Sequence, residues 1–169
     1  MSAGIILGDP RLEAVLITPQ ALRRRVRRLA EQIATDAARQ RRLRMVGVLK
    51  GACVFMADLG RELRRAGGPP TTYDFVRAST YADGIKAAGE ASRTVRIDGL
   101  TGSLEGQDVL LVEDILDQGF TLSAIRRALL EEHGARSVRL CVLLAKALVD
   151  PSPAVQALRR ALVPEYVGF

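Results

Sequence analysis

Three carboxylates in the stretch VLLVEDILDQGFTL, residues 109–122, stand where chemistry can be done. An apolar run, residues 109–112, ends on the adjacent acids Glu113 and Asp114. Ile115 and Leu116 follow, then Asp117, then Gly119 and Thr121, where a helical pattern begins. Backbone N–H groups of a glycine-containing turn and of a first helical turn lack internal partners, so such a junction can close around a phosphate. The acidic pair cannot serve that anion, because like charges repel. Vicinal hydroxyls or a Mg²⁺ ion suit carboxylate oxygens better. A sugar phosphate with free hydroxyls satisfies both halves of the stretch at once.

Two lysines extend the pattern. Lys50 precedes Gly51 at the end of the apolar run 45–49, and Lys146 follows the apolar run 138–145. A cation beside exposed backbone amides suits a diphosphate, although a lysine at a strand end is commonly a solubilising charge.

The elements that must position these groups are legible from periodicity. Apolar runs at 45–49, 109–112 and 138–145 read as buried strands, and residues 71–81, rich in β-branched and aromatic side chains, as another. Residues 95–97 suit an edge strand and 166–169 a short last strand. Thr18 before Pro19 is a helix-start signal, and Leu22, Val26, Leu29 and Ile33 predict a helix over 19–40. A second helix is expected over 52–66, with Val54, Phe55, Leu59 and Leu63 on one side and Gly67-Gly68-Pro69-Pro70 as its stop. A third is expected over 121–132, with Leu122, Ile125, Leu129 and Leu130 inward, and a short fourth over 154–161. His133, the only histidine, falls at the end of the third as a cap or dipole partner. Residues 82–94 lack periodicity and read as a loop of the functional-lid kind. Strands alternating with helices imply an α/β fold with a mostly parallel sheet, whose ligand lies over the carboxyl ends of the strands. Lys50, Glu113, Asp114, Asp117 and Lys146 all fall at such ends and form one candidate site.

The chain has 169 residues and is expected to form one domain, burying about two-thirds of the surface its unfolded chain exposes. A balance of 25 basic against 19 acidic residues gives a net charge of +6 and favours anionic partners. The arginine run at 23–28 lacks interleaved aromatics, so a solvated helix face is preferred to a nucleic-acid patch. Cys53 and Cys141 are lone thiols in apolar surroundings, expected as reduced core residues of a cytosolic protein. No apolar run approaches the ~20 residues that cross a bilayer, and the first residues lack the basic start of a signal peptide.

The segment VEDILDQGFTL resembles the phosphoribosyl-diphosphate binding motif of the type I phosphoribosyltransferases: two apolar residues, two acids, two apolar residues, Asp, a small polar residue, Gly, any residue, Thr. VLITPQALRRRVRRLAEQI, VGVLKGACVFMADL, the triplet Ser79-Thr80-Tyr81 and LLAK followed by EYVGF are similar to segments of the hypoxanthine-guanine members, in the same order. The resemblance implies a Rossmann-like fold, a mostly parallel twisted sheet flanked by helices, with a flexible lid loop. It implies transfer of the 5-phosphoribosyl group from phosphoribosyl diphosphate to a 6-oxopurine in purine salvage, with Mg²⁺, by a cytoplasmic homodimer or homotetramer with no membrane or nucleic-acid partner. On the same ground Glu113 and Asp114 would hold the ribose hydroxyls and the metal. The turn Asp117, Gln118, Gly119, Phe120, Thr121 would bind the 5′-phosphate, and Asp117 would accept a proton at purine N7. Lys146 would donate to the C6 oxygen, Tyr166 would stack on the base and Val167 would touch it through its backbone. Lys50 and Gly51 would take the pyrophosphate, and Thr80 with Tyr81 would close over it. Gln118 stands where the family commonly has Thr, and family members continue beyond the YVGF segment, which implies a reduced hood. Two alternatives are a phosphoribosyltransferase-fold regulator that binds RNA and a shortened, inactive paralogue.

Overall fold

Alternation along the strands builds two cores, one on each face of a single sheet. The computed structural model describes residues 14–81 and 94–169. Its elements are α1 (Pro19–Asp36), β1 (Leu43–Val48), α2 (Ala52–Arg65), β2 (Thr71–Tyr81), β3 (Thr94–Asp98), β4 (Asp108–Leu116), α3 (Phe120–Glu131), β5 (Ser137–Ala145), α4 (Pro153–Ala161) and β6 (Tyr166–Val167). The strand order is β3-β2-β1-β4-β5-β6. Every neighbouring pair is parallel except β2 with β3, which is antiparallel, so β3 is the expected edge strand. Successive side chains of a strand point to opposite faces. Met45, Leu110, Val112 and Cys141 meet Leu29, Ile33, Phe55 and Leu59 of α1 and α2. Their neighbours Val46, Val109, Leu111, Leu140 and Val142 meet Leu122, Ile125 and Leu129 of α3.

The predicted elements are present, with shifted bounds that have physical reasons. Thr18 caps α1 by accepting from the Ala21 amide at 3.2 Å, as expected from Thr-Pro. The helix ends at Asp36 and not at residue 40, because the chain tightens there into i→i+3 bonds, Ala38 to Thr35 at 3.3 Å and Gln40 to Ala37 at 2.9 Å. On α2 the inward stripe is Ala52, Phe55, Met56, Leu59 and Leu63. Val54 is 72% exposed, against expectation, because Met56 takes the inward place: Gly47 of β1 has no side chain, and a Cβ there would sit 2.8 Å from the Met56 sulfur. The same stripe leaves Cys53 exposed, correcting its expected place in the core, whereas Cys141 is buried. On α3 Ala128 is buried and Leu130 exposed, again two positions from the reading by pattern.

The largest correction concerns β4. It does not stop at the apolar run but continues to Leu116, pairing with β5 through Glu113↔Val142, Ile115↔Leu144 and Leu116↔Ala145. Both acids therefore lie inside one long strand, with Glu113 paired to Val142 of β5. Of the expected lid loop, residues 82–94, all but Thr94 lie outside the described residues, and Thr94 opens β3. No helix among the described residues is long and apolar enough to cross a membrane.

Candidate active site

The carboxyl ends of β1, β4 and β5 converge on one surface. At β1 the Leu49-Lys50 peptide is cis, Lys50 is exposed, and Gly51 opens α2 with helical angles, φ −58 and ψ −47. Gly51 is there for space. An added Cβ would lie 2.2 Å from a carboxylate oxygen of Asp114, so the β1 turn and the β4 acids touch across the sheet.

The acidic pair is held by its own backbone. The Asp114 amide donates to Glu113 Oε1 at 3.1 Å, and the Ile115 amide donates to Asp114 Oδ1 at 2.9 Å. Burial, then the neighbouring Asp114 carboxylate, push the Glu113 carboxyl up to about 8, with the Asp114 amide opposing. No basic side chain among the described residues forms an ion pair with either acid. Two crowded carboxylates suit a divalent cation, and no cluster of three or more potential ligands occurs among the described residues. That donor set fits Mg²⁺, which typically takes one or two carboxylates and fills its octahedron with water and substrate phosphate.

Past β4 the chain turns through Asp117 and Gln118, both exposed, to Gly119 at φ +94, a left-handed conformation that glycine adopts without penalty. Gly119 is the N-cap residue of α3 and supplies no side-chain bond, so the first amides of α3 face outward uncapped by it. A cavity of about 330 Å³ is lined by Glu113, Asp117, Gln118, Gly119, Phe120 and Thr121, among others. Outward amides at a helix start, beside a recess of this size, can accept a phosphate.

Lys146 completes the surface. Its amide donates to the Leu116 carbonyl at 3.0 Å, tying the ends of β4 and β5, and its Nζ lies 3.4 Å from Asp117 Oδ1. Both side chains are more than half exposed, at 60% and 54%, so they remain available to a ligand. Their mutual attraction adds little stability, about 0–1 kcal/mol for an exposed pair.

Lys50, Gly51, Glu113, Asp114, Asp117, Gln118, Gly119, Phe120, Thr121 and Lys146 thus share one end of the sheet. Tyr166 does not join them as a stacking residue. It is 4% exposed and points into the core under α1, where its hydroxyl donates to Asp36 at 2.9 Å and accepts from Arg139 at 2.8 Å. Burial and the Asp36 carboxylate push its hydroxyl up. An aromatic at that strand position fills the α1 face, and the expectation that it stacks on a base is corrected. Val167 is partly exposed on β6, paired with Val142. Thr80 and Tyr81 are the last residues of β2, with backbones registered to Val95 and Thr94, and their side chains lie outside the described residues.

One participant had no sequence signal. Arg159 of α4 reaches across 42 residues of chain to donate to the Asp117 carbonyl, and also to the carbonyls of Leu116 at 3.0 Å and Lys146 at 3.4 Å. It belongs to no motif, and only the packing of α4 beneath the turn brings it there.

The profile of the phosphoribosyl transferase domain matches residues 13–149. The chain belongs to the phosphoribosyl transferase family. Hypoxanthine-guanine phosphoribosyltransferase of Mycobacterium tuberculosis (strain CDC 1551 / Oshkosh) is 37% identical over 174 aligned residues, covering 99% of this chain and 77% of that one. Among solved structures, the hypoxanthine-guanine phosphoribosyltransferase of L. donovani superposes with a TM-score of 0.75 at 29% identity, covering 95% of this chain and 83% of the other. The corresponding enzyme of Bacillus anthracis gives a TM-score of 0.70 at 30% identity, covering 94% and 81%. The family expectation drawn from the acidic motif is met, and the sheet carries the fold of these phosphoribosyltransferases.

Proposed function

We propose that this chain is a purine-salvage phosphoribosyltransferase that moves the 5-phosphoribosyl group from phosphoribosyl diphosphate to hypoxanthine or guanine, giving IMP or GMP and pyrophosphate. The observation that carries the reading is the Lys146–Asp117 pair at 3.4 Å, beside the uncapped start of α3. A 6-oxopurine presents O6, an acceptor, and N7, a proton-bearing position, along one edge. A donor and an acceptor side by side match that edge. A 6-amino group would set donor against donor at Lys146. The relatives named as hypoxanthine-guanine phosphoribosyltransferases support the same substrate class.

In this reading the turn 117–121 binds the 5′-phosphate through its amides, with the Gln118 amide group standing in for a hydroxyl. Glu113 and Asp114 hold the ribose hydroxyls and would hold Mg²⁺, whose charge offsets that of the leaving pyrophosphate. Lys50 and the Gly51 turn receive the pyrophosphate, and Thr80 and Tyr81 close over it. The C1′–O bond to pyrophosphate breaks as the bond from purine N9 to C1′ forms, and Asp117 takes the N7 proton, which makes N9 nucleophilic. Developing positive charge at C1′ would be stabilised by the acidic pair. The exposed free thiol Cys53 suits a reducing cytoplasm, and an assembly of two or four copies is the expected state.

The test is a panel of hypoxanthine, guanine, xanthine, adenine and uracil with phosphoribosyl diphosphate and Mg²⁺. Nucleotide formation from hypoxanthine or guanine, well above adenine and uracil, is expected. Absence of turnover with every 6-oxopurine overturns the reading, and RNA binding without turnover would favour the regulator.

A further inference from the structure

We infer that Arg159 is a positioning residue that sets the geometry of the Asp117–Lys146 pair. The inference rests on the reading of that pair as the groups that handle the purine. Neither Asp117 nor Lys146 lies in a strand: each is the first residue past one, Asp117 after β4 and Lys146 after β5. Beyond a ladder end the backbone relies on what crosses between the two segments. One such tie is the Lys146 amide on the Leu116 carbonyl at 3.0 Å. The other is Arg159. Its Nη1 donates to the carbonyls of Leu116, at 3.0 Å, and of Asp117, and its Nη2 lies 3.4 Å from the carbonyl of Lys146. A planar guanidinium with fixed donor directions can hold carbonyls from both chains in one relationship, which an ammonium cannot.

The arginine is itself placed by packing. α4 starts with Ser152 capping the Val155 amide at 3.4 Å, and beyond its end Leu162 is buried in the core with Leu116 and Leu122. A Cβ added at Gly119 would lie 3.1 Å from Leu162 and 3.7 Å from the Arg159 side chain, so α4 sits directly under the turn. Drawing the Leu116 and Asp117 carbonyls toward α4 also keeps their negative ends toward the cation and away from the anion that the turn is to bind. Arg160, next in sequence and exposed, donates to none of these carbonyls and serves as the charge-matched control.

The experiment has two arms. In the first, amide hydrogen exchange is compared for wild type, Arg159→Ala and Arg160→Ala at a temperature where all are folded. Exchange of the Lys146 amide is expected to rise about tenfold or more in Arg159→Ala, while core amides of β4 stay protected. In the second, kcat and KM for hypoxanthine are measured for Arg159→Ala, Lys146→Ala and the double variant. A small displacement of reacting groups can cost about a hundredfold, so kcat/KM is expected to fall roughly ten- to a hundredfold in Arg159→Ala. Because Arg159 acts through the pair, its loss in the Lys146→Ala background is expected to cost much less, and Arg159→Lys, whose ammonium cannot span the same carbonyls, should recover little of the activity. Arg160→Ala should match wild type in both arms. Unchanged exchange at Lys146, or fully additive costs, overturns the inference. Raised exchange in a protein whose wild type transfers no base leaves the clamp standing and removes the proposed function instead.

Discussion

The Nζ of Lys146, one residue past β5, lies 3.4 Å from Oδ1 of Asp117, one residue past β4. Adjacent parallel strands deliver a donor and an acceptor to the same point, and neither is buried enough to be locked away from a ligand. This is the feature by which the site would tell a 6-oxopurine from other bases.

Lys146→Ala should therefore separate recognition from stability. The exposed ion pair is worth about 0–1 kcal/mol, so the thermal midpoint should move little. A hydrogen bond from a charged donor is worth about 1.5–3 kcal/mol, so kcat/KM for hypoxanthine should fall roughly ten- to a hundredfold. Steady-state kinetics beside a melting curve decide it; a large loss of stability with intact kinetics would assign Lys146 a structural role.

Gly51→Ala tests the contact between the β1 turn and the acids. Gly51 has φ −58, which alanine adopts freely, so the backbone gives no reason for harm. The added Cβ would meet the Asp114 carboxylate at 2.2 Å, so one of the two must move. Affinity for phosphoribosyl diphosphate with Mg²⁺ should weaken by about tenfold or more, since misplacing an oriented group is costly. Calorimetric titration of the variant against wild type checks this, and equal affinity would show that Asp114 can relax without consequence.

Gly119→Ala should behave differently, because the obstacle is conformational. At φ +94 an alanine is strained whatever the space, at a cost of about 1–3 kcal/mol. Urea unfolding should show that loss directly, together with weaker phosphate binding, whereas Gly51→Ala should leave the unfolding midpoint nearly unchanged.

Acid sensitivity is expected from Asp74 on β2, which is 4% exposed. Burial raises its carboxyl, but the amides of Thr101 and Phe75, Arg44 and the Thr101 hydroxyl reverse the effect and hold it below the ordinary carboxylate range. Arg44 donates to it at 2.6 Å and the Thr101 amide at 3.0 Å. A depressed folded value means that the stabilisation is fully present above the unfolded value of about 3.9 and is lost as pH falls through the folded one. Asp74→Asn should lower stability at pH 7 by about 3 kcal/mol, the scale of breaking a buried pair, and should flatten the fall below pH 4. Unfolding free energies between pH 7 and pH 3 for both proteins measure it. An equally steep acid limb in the variant would assign that limb to other carboxylates.

Most of the fold was legible because the buried strands are short apolar runs and the helices carry three- and four-residue periodicity. The same local signals misplace single residues. Val54 and Cys53 are as apolar as Met56, but Met56 shares the stripe of Ala52, Phe55, Leu59 and Leu63, and Gly47 on the facing strand makes room for it. The apolar run stops at Val112, yet pairing of Glu113, Ile115 and Leu116 with β5 carries the strand past both acids. Tyr166 looks like a binding aromatic, and its alternate-face neighbour on β6 is the exposed one; the hydroxyl bonds to Asp36 and Arg139 depend on a packing of α1 over β5 that no local pattern encodes. Arg159 was invisible for the same reason. That Glu113, Asp114, Asp117 and Gly119 fall at a strand end and the turn after it was legible from type and spacing, since a glycine at positive φ is a demand of local geometry; the roles assigned to them came from the family resemblance.

The most direct test of the account is the turnover of Asp117→Asn with hypoxanthine at saturating phosphoribosyl diphosphate and Mg²⁺. General acid–base assistance is worth about 10²–10⁴-fold, so kcat should fall by that factor while the affinity for phosphoribosyl diphosphate and the melting temperature stay close to wild type. A variant that turns over hypoxanthine at the wild-type rate would contradict the assignment of Asp117, and with it the reading of the Lys146–Asp117 pair as the purine site.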